Sequence, residues 1–486
     1  MLGMAIFNCA CLHNGKKPGS GDVQNILTKH RLIPAGDGLA KNSVNTTPFR
    51  QNSLVTHGDT QYIAYFAHAA AGNRSALVLG KRKLGEAKFT TTTTNIMGWT
   101  NDAHNSACIM TDGDGYLHLS LIHHNSALEV YRSDEPGSLN MIKITTNPVM
   151  AYSRSGGTFT ALTTNVYESS TTYTEFYRLP DDPAKGDGDL LFVYREGSSG
   201  SGNLVLNRYS RANKRWYRVQ DIVVQGNPQS AYWQVYLDDN GRLHLSWVFR
   251  GSADVRTNHD MYYAYSDDQG VTWKKIDGTQ YTLPITSATA ERVWEIAQDQ
   301  NLMNQTSMTA DKDSHPYIAT YWGRPTMQYR VIYHDGTTWK MSTVSERTTL
   351  DDGGISLFDG SRNPSPYLSG GGTKLVPIAR PRMIAKYDTA TGKTKAYYIF
   401  RDNWERGGKV SMYSTEDITS NVWTLSDLTD FDVKYWEPSY DTELWKNQGK
   451  LHVFVQYADY LSDGSDLSFS KVTAMPVYCL EVDLDS

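Results

Sequence analysis

Cysteine is scarce in this chain: four in 486 residues, Cys9, Cys11, Cys108 and Cys479, with no paired spacing. That excludes a zinc-ribbon framework and leaves too few thiols for a disulfide scaffold at this length, so the redox compartment stays open. An excess of charge of one sign is also lacking. The formal net charge is −5, so no long-range field recruits nucleic acid or an anionic membrane, and an anionic ligand would have to be held by local arginines. No apolar run reaches the roughly 18 residues that span a bilayer. The apolar stretch within Met1 to Leu12 is too short for a complete signal peptide. Either the chain is cytosolic or the sequence begins after most of a signal has been removed. Long amphipathic helices are nearly absent as well.

What is present is strand material. Hydrophobic residues make up 39% and aromatics 12%, with 31 Tyr and 12 Trp against 13 Phe. This supplies a buried core and excludes disorder. Tyr and Trp rings are apolar on the face and polar at the tip, which suits a surface that stacks on sugars; Tyr is also simply a good strand residue. Runs of Val, Ile, Tyr, Thr and Leu are punctuated by Gly, Asn and Asp, an all-β pattern.

The pattern repeats. Asp112-Gly113-Asp114-Gly115-Tyr116-Leu117-His118-Leu119-Ser120 matches Asp238-Asp239-Asn240-Gly241-Arg242-Leu243-His244-Leu245-Ser246, at a spacing of two periods if one weaker copy lies between them. Gly188 to Tyr194 is that copy. Further copies fall at Thr56 to Ala67, Asp311 to Tyr321, Lys386 to Phe400 and Asn447 to Gln456, giving seven. Each continues into a third strand and a Trp-bearing fourth, as at Tyr209 to Trp216, Tyr333 to Trp339 and Tyr413 to Trp423. Four strands per unit of about 60 residues predict a seven-bladed β-propeller rather than a solenoid. Residues 1–45 are expected to form an N-terminal extension and ring-closing segment, and residues 46–486 a single propeller domain. Ser266-Asp267-Asp268-Gln269-Gly270-Val271-Thr272-Trp273 resembles the Asp box of sialidase-type propellers, where Asp268 and Trp273 serve the scaffold.

In a propeller blade the start of the first strand and the end of the second lie on one face. In the second repeat these places hold His104-Asn105 and His123-His124; in the third, Tyr173 and Arg195; in the fourth, Tyr232 and Arg250. Three consecutive blades thus aim imidazoles, phenols and guanidiniums at one patch. His123 alternates with His124 and is expected to face the other way as a structural residue. Arg195 could equally be a surface ion pair with Glu196. The set suits proton abstraction beside a carboxylate: a bidentate arginine neutralises the existing charge, a base takes the proton and an acid protonates the leaving oxygen. His and Tyr can fill both roles, and Arg195 would also favour the phenolate of Tyr173.

The run Asn101-Asp102-Ala103-His104-Asn105, then Asp112 to Ser120 and His123-His124, followed by Thr172-Tyr173-Thr174-Glu175-Phe176-Tyr177-Arg178 and Tyr194-Arg195-Glu196-Gly197, resembles the BNR-repeat ulvan lyases, nearest to polysaccharide lyase family 25 and related to family 24. The likeness covers nearly the whole chain. It implies seven blades, a substrate canyon across one face, and cleavage at uronate by β-elimination. By motif, it implies catalytic roles for His104, His124, Tyr173 and Arg195. A second family tyrosine falls on Tyr232 by the face argument and on Tyr236 by family spacing. Asn105, Arg250 and Arg324 are further candidates for substrate binding, the arginines for sulfate. An apparent insertion at Asp182 to Asp187 should be a loop on the far face.

The expected partner is an acidic sulfated polysaccharide, with neither nucleic acid nor membrane, handled by a monomer that is secreted or periplasmic. No cofactor is required for the chemistry. Scattered His and Asp leave room for a structural zinc or calcium ion, though no spacing demands one. Two rival readings share the scaffold. A sialidase-like hydrolase would need an arginine triad and a Tyr/Glu pair, and Arg31-Leu32-Ile33-Pro34 only approximates its early signature, since Leu32 turns the arginine to the other face. A non-catalytic glycan-binding propeller is the other.

Overall fold

A computed structural model describes residues 30–47, 52–67, 74–145, 149–155, 158–166, 169–199, 201–223, 230–304, 307–351, 376–459 and 472–484, with side chains omitted from 145 to 166. Cys9 and Cys11 lie outside these residues. Seven antiparallel sheets are arranged in a ring, a seven-bladed β-propeller. Blade 1 runs Leu54–His57, Thr60–Phe66, Arg74–Lys83 and Thr90–Trp99. Blade 2 runs Ala107–Thr111, Leu117–Leu121, Val130–Ser133 and Met141–Thr145. The four successive strands of blade 3 are Thr171–Arg178, Leu190–Glu196, Asn203–Ser210 and Arg215–Val223. Those of blade 4 are Ser230–Leu237, Leu243–Arg250, Asn258–Ser266 and Glu291–Trp294. Blades 5 and 6 begin at Ser307–Ala310 and Arg382–Asp388 and keep the same four-strand order.

The repeated Asp-containing turn has a definite job. Asp112 Oδ1 accepts from the backbone N–H groups of Asp114 and Tyr116, Asp238 Oδ1 from Asn240 and Arg242, and Asp311 Oδ1 from Asp313 and His315. Each carboxylate thereby closes the hairpin between first and second strands, as Asp favours in turns. The second oxygen anchors the next strand: His118 Nε2 lies 3.0 Å from Asp112 and His244 Nε2 3.1 Å from Asp238, both rings fully buried. In blade 5 the Tyr317 hydroxyl donates to Asp311 at 2.9 Å instead. These recurring histidines belong to the scaffold. The same holds for the Asp box, where Asp268 accepts from Ser266, Val271 and Thr272, and the buried Trp273 indole donates to Gly270 O at 3.0 Å.

Blade 7 is closed by distant parts of the chain. Leu451–Gln456 and Ala474–Val482 pair with each other, and Arg31–Leu39 adds to the outer edge in the register Arg31↔Glu481 to Leu39↔Ala474. Asp441 caps the short helix Thr442–Gln448 and also takes the Thr56 hydroxyl and the Gln61 amide of blade 1, tying last blade to first. Blade 3 departs from the four-strand rule. Val149–Ser155 and Thr158–Val166 extend its outer edge, and His124–Ser126, arriving from blade 2, extends its inner edge. The Asp182 to Asp187 segment sits among the Asp turns at the far end of blade 3: Gly113 N–H donates to Gly188 O, and Arg211 bridges Asp114 and Asp187. Cys108 and Cys479 are buried thiols. No helix among the described residues is long and apolar enough to cross a membrane.

Candidate active site

Strand pairing brings the candidates together. In blade 3 Thr172 lies opposite Arg195, and in blade 4 Ser230 lies opposite Arg250, so first-strand starts do meet second-strand ends. The inner-edge strand from blade 2 then places His124 opposite Thr172. Positive φ at Ile122 (67°) and Asn125 (52°) turns the chain into and through that strand. Tyr173 itself has φ 60°, left-handed backbone inside a strand, where the register slips between Thr172 and Glu175. Such a bulge re-aims a side chain at a cost of about 1–3 kcal/mol of strain, and these conformations concentrate at functional sites.

Asp102 organises the imidazoles. It caps the short turn Ala103–Asn105 through the His104 N–H, and its two oxygens lie 2.8 Å from His104 Nδ1 and 2.5 Å from His124 Nδ1. The two rings stack at 4.0 Å. With Nδ1–H given to the carboxylate, the neutral His104 ring carries its lone pair on Nε2. Burial works against charge on Asp102, but the hydrogen bonds from both histidines outweigh it and hold the carboxyl well below the usual range. Burial lowers the pKa of His104; Asp102 pulls it up, while the charges of His124 and Arg195 push it down again. His104 is therefore neutral at pH 7.

Around this pair stand the phenols and guanidiniums. His104 and Tyr173 rings are 5.6 Å apart, and the Arg195 guanidinium sits 4.9 Å over the Tyr173 ring. Arg195 is 2% exposed. Among the described residues it donates to Gly197 O (3.0 Å), Asn125 Oδ1 (3.1 Å) and Thr172 Oγ1 (3.0 Å), through Nε and Nη2. All these partners are neutral oxygens, and Glu196 pairs with Arg218 instead at 3.0 Å. Tyr232 lies 6.4 Å from Tyr173, its hydroxyl 2.8 Å from Ser199 and 3.1 Å from Arg250. Arg250, 7% exposed, likewise bonds only neutral oxygens, those of Tyr232, Asn258 and Asn304. Two buried cations without a carboxylate partner among the described residues is an arrangement that favours an incoming anion.

The remaining candidates lie apart. Tyr236 is four residues further along its strand than Tyr232, about 13 Å away at the usual strand rise; burial pushes its phenol well above the ordinary pKa, near Tyr440 and Thr309. Asn105 spends its amide on Trp99 O at 2.9 Å and is buried, a brace for the turn that carries His104. Arg324 pairs with Asp299 at 2.5 Å. His123 is buried on Ser126 and Glu129 O. Sequence reasoning missed Asp102, Asn125 and Ser199. Asp102 left a signal, an Asp two residues ahead of His104 at a turn start, where capping is its usual work. Asp102, His104 and His124 also present ligand atoms within 4.8 Å of one another, a set suited to a cation such as zinc. In this arrangement each imidazole Nδ1 lies against its own carboxylate oxygen of Asp102.

A propeller with buried arginines, phenols and paired imidazoles on one face defines the class. The chain belongs to the BNR repeat-containing family, whose model matches residues 60–347. No curated protein matches the chain in sequence. Among solved structures, the chain is similar to the polysaccharide lyase Uly1 at 15% identity and a TM-score of 0.61, covering 97% of this chain and 96% of the other. It is also similar to a family 25 ulvan lyase bound to -[GlcA(1-4)Rha3S]-, at 12% identity and a TM-score of 0.60, covering 91% and 100%. At these identities the likeness establishes the fold.

Proposed function

We propose that the chain is a polysaccharide lyase that cleaves ulvan, a sulfated polymer of rhamnose and uronic acid, by β-elimination at glucuronate or iduronate. The observation that carries this reading is Arg195, a buried cation with neutral partners lying over the ring of Tyr173, which in turn stands beside His104. A uronate carboxylate supplies the missing counter-charge, and its neutralisation is what makes the adjacent C5–H acidic enough to remove. His104 Nε2 takes the C5 proton, the electron pair forms the C4–C5 double bond, and the C4–O bond breaks. Tyr173 donates its proton to the departing glycosidic oxygen. For the epimer whose proton points to the other face, Tyr173 as its phenolate takes the C5 proton and passes it to the departing glycosidic oxygen. Asp102 fixes the imidazole tautomers, His124 tunes the pair, and Tyr232 and Arg250 line the next position along the groove.

The reaction uses side chains alone and needs no cofactor. A polymer substrate of this kind is met outside the cell, so the enzyme acts as an exported protein. A hydrolase of sialidase type is disfavoured. Arg31 pairs with Glu481 on the ring-closing strand, and the Tyr177–Glu175 pair, 2.5 Å apart, is buried in the channel beside Gln234. The test is to incubate the protein with ulvan and other polyuronates and follow ultraviolet absorbance. An eliminase creates an absorbing unsaturated uronate, a hydrolase only reducing ends, and a lectin neither. Tyr173→Phe should abolish turnover while leaving binding largely intact; full activity in that variant refutes the assignment.

A further inference from the structure

One tryptophan is placed where folding alone gives no reason to leave it. Trp99 ends the outer strand of blade 1 and is 53% exposed, the one aromatic among the large apolar side chains left exposed in the described residues. About half of its ring surface, on the order of 100 Å² of apolar area, is left in water. Met97, two residues earlier on the same face of the strand, is 40% exposed and extends the apolar strip.

The backbone beneath this ring is rigid. Asn105, next to His104, donates to Trp99 O at 2.9 Å. Gly98 packs so closely that a Cβ there would come within 2.7 Å of Phe66 and 3.2 Å of Ile122, two residues before His124. Thr100 is held by Asn42 and by Ser75. The platform is thus clamped by the two segments that carry the catalytic imidazoles. Across the strand pair, Arg74 lies opposite Trp99 with its guanidinium 5.7 Å from the ring centroid. Arg74 forms no ion pair among the described residues.

We propose that Trp99 and Arg74 form a sugar subsite on the blade 1 side of the cleavage centre, where a pyranose ring stacks on the indole and its sulfate ester or other anionic group meets the guanidinium. The inference rests on the lyase reading, because it assigns the flank of the same polyanionic chain. Five residues separate Trp99 from His104, a reach of at most about 17 Å, so the subsite serves a sugar no more than a few units from the uronate. Binding there is equal in ground and transition states, and so appears in KM rather than kcat.

The test uses two measurements. In the active enzyme, Trp99→Ala should raise KM for ulvan about tenfold with kcat changed less than about twofold. In the Tyr173→Phe background, calorimetric titration with ulvan oligosaccharides should show the same loss for Trp99→Ala and near-full affinity for Trp99→Tyr. Arg74→Gln should weaken binding of the sulfated oligosaccharide and leave a chemically desulfated one unaffected. If Trp99→Ala fails to fold, Trp99→Tyr and Arg74→Gln carry the test, since both keep the surface polar or aromatic. Wild-type cleavage with KM and affinity unchanged in the Trp99 and Arg74 variants overturns the subsite alone. A wild type that neither cleaves nor binds ulvan overturns the lyase reading and the subsite together.

Discussion

Arg195→Met separates catalysis from stability more sharply than any other change. Arg195 is 2% exposed and, among the described residues, its guanidinium holds three neutral oxygens through Nε and Nη2, which leaves Nη1 for a substrate carboxylate. A charge pair about 4 Å apart at an effective dielectric near 20 is worth about 4 kcal/mol, and removing one preorganised donor typically costs 10²–10³ in kcat, about 3–4 kcal/mol. A fall of about 10³ is expected. Stability should move little. Methionine forfeits three hydrogen bonds but also relieves the desolvation of a buried cation, several kcal/mol in the other direction. Two of the three abandoned acceptors keep partners: Thr172 Oγ1 still receives the Asn125 N–H at 3.0 Å, and Asn125 Oδ1 lies 3.4 Å from the Thr172 hydroxyl. The assay is initial rate by ultraviolet absorbance on ulvan, with thermal melts in parallel. A variant that retains more than about a tenth of wild-type kcat, or one that unfolds, refutes the reasoning.

Asp102→Asn should lower kcat/KM by about 10²–10⁴, because an amide can accept from only one of the two imidazoles and upsets the other's tautomer. The residual activity should show its acid limb at lower pH, since the carboxylate that raises the pKa of His104 is gone; an unchanged pH–rate profile counts against the role. Acid should destabilise the fold well before carboxylates titrate. Burial lowers His123 and His452 to about 4, while the unfolded chain protonates them near 6.5. Their contribution, about 3 kcal/mol each, is present above pH 6.5 and is lost as pH falls toward 4. Melting temperatures from pH 7 to 4 check this, with His123→Gln and His452→Gln expected to flatten the slope. Asp268→Ala should cost about 2–3 kcal/mol by calorimetry through the lost turn bonds, with kcat per folded molecule unchanged.

The repeat made most of the fold legible. Asp112 and Asp238 recur with Leu-His-Leu-Ser because each blade solves one local problem, a hairpin closed by a carboxylate whose second oxygen holds the next strand's His. Period and turn chemistry are local properties, so blade number and the face carrying His104, Tyr173, Arg195, Tyr232 and Arg250 could be read from spacing alone. The same local logic identified Asp268 and Trp273 as scaffold.

Tertiary structure decided what depends on partners far along the chain. Spacing could not choose between Tyr232 and Tyr236, because both project from one strand; the contact with Tyr173 on the neighbouring blade sets Tyr232 apart. Arg195 could have been neutralised by Glu196, its neighbour in sequence, but adjacent strand residues point to opposite faces, and Glu196 goes to Arg218. The sharing of Asp102 by His104 and His124 depends on the loop that leaves blade 2 to join the inner edge of blade 3. Charge balance and ring stacking are set by which distant side chains share a space. Sequence therefore determined the scaffold and the list of reactive groups, and only the packing of blade against blade determined which of them meet.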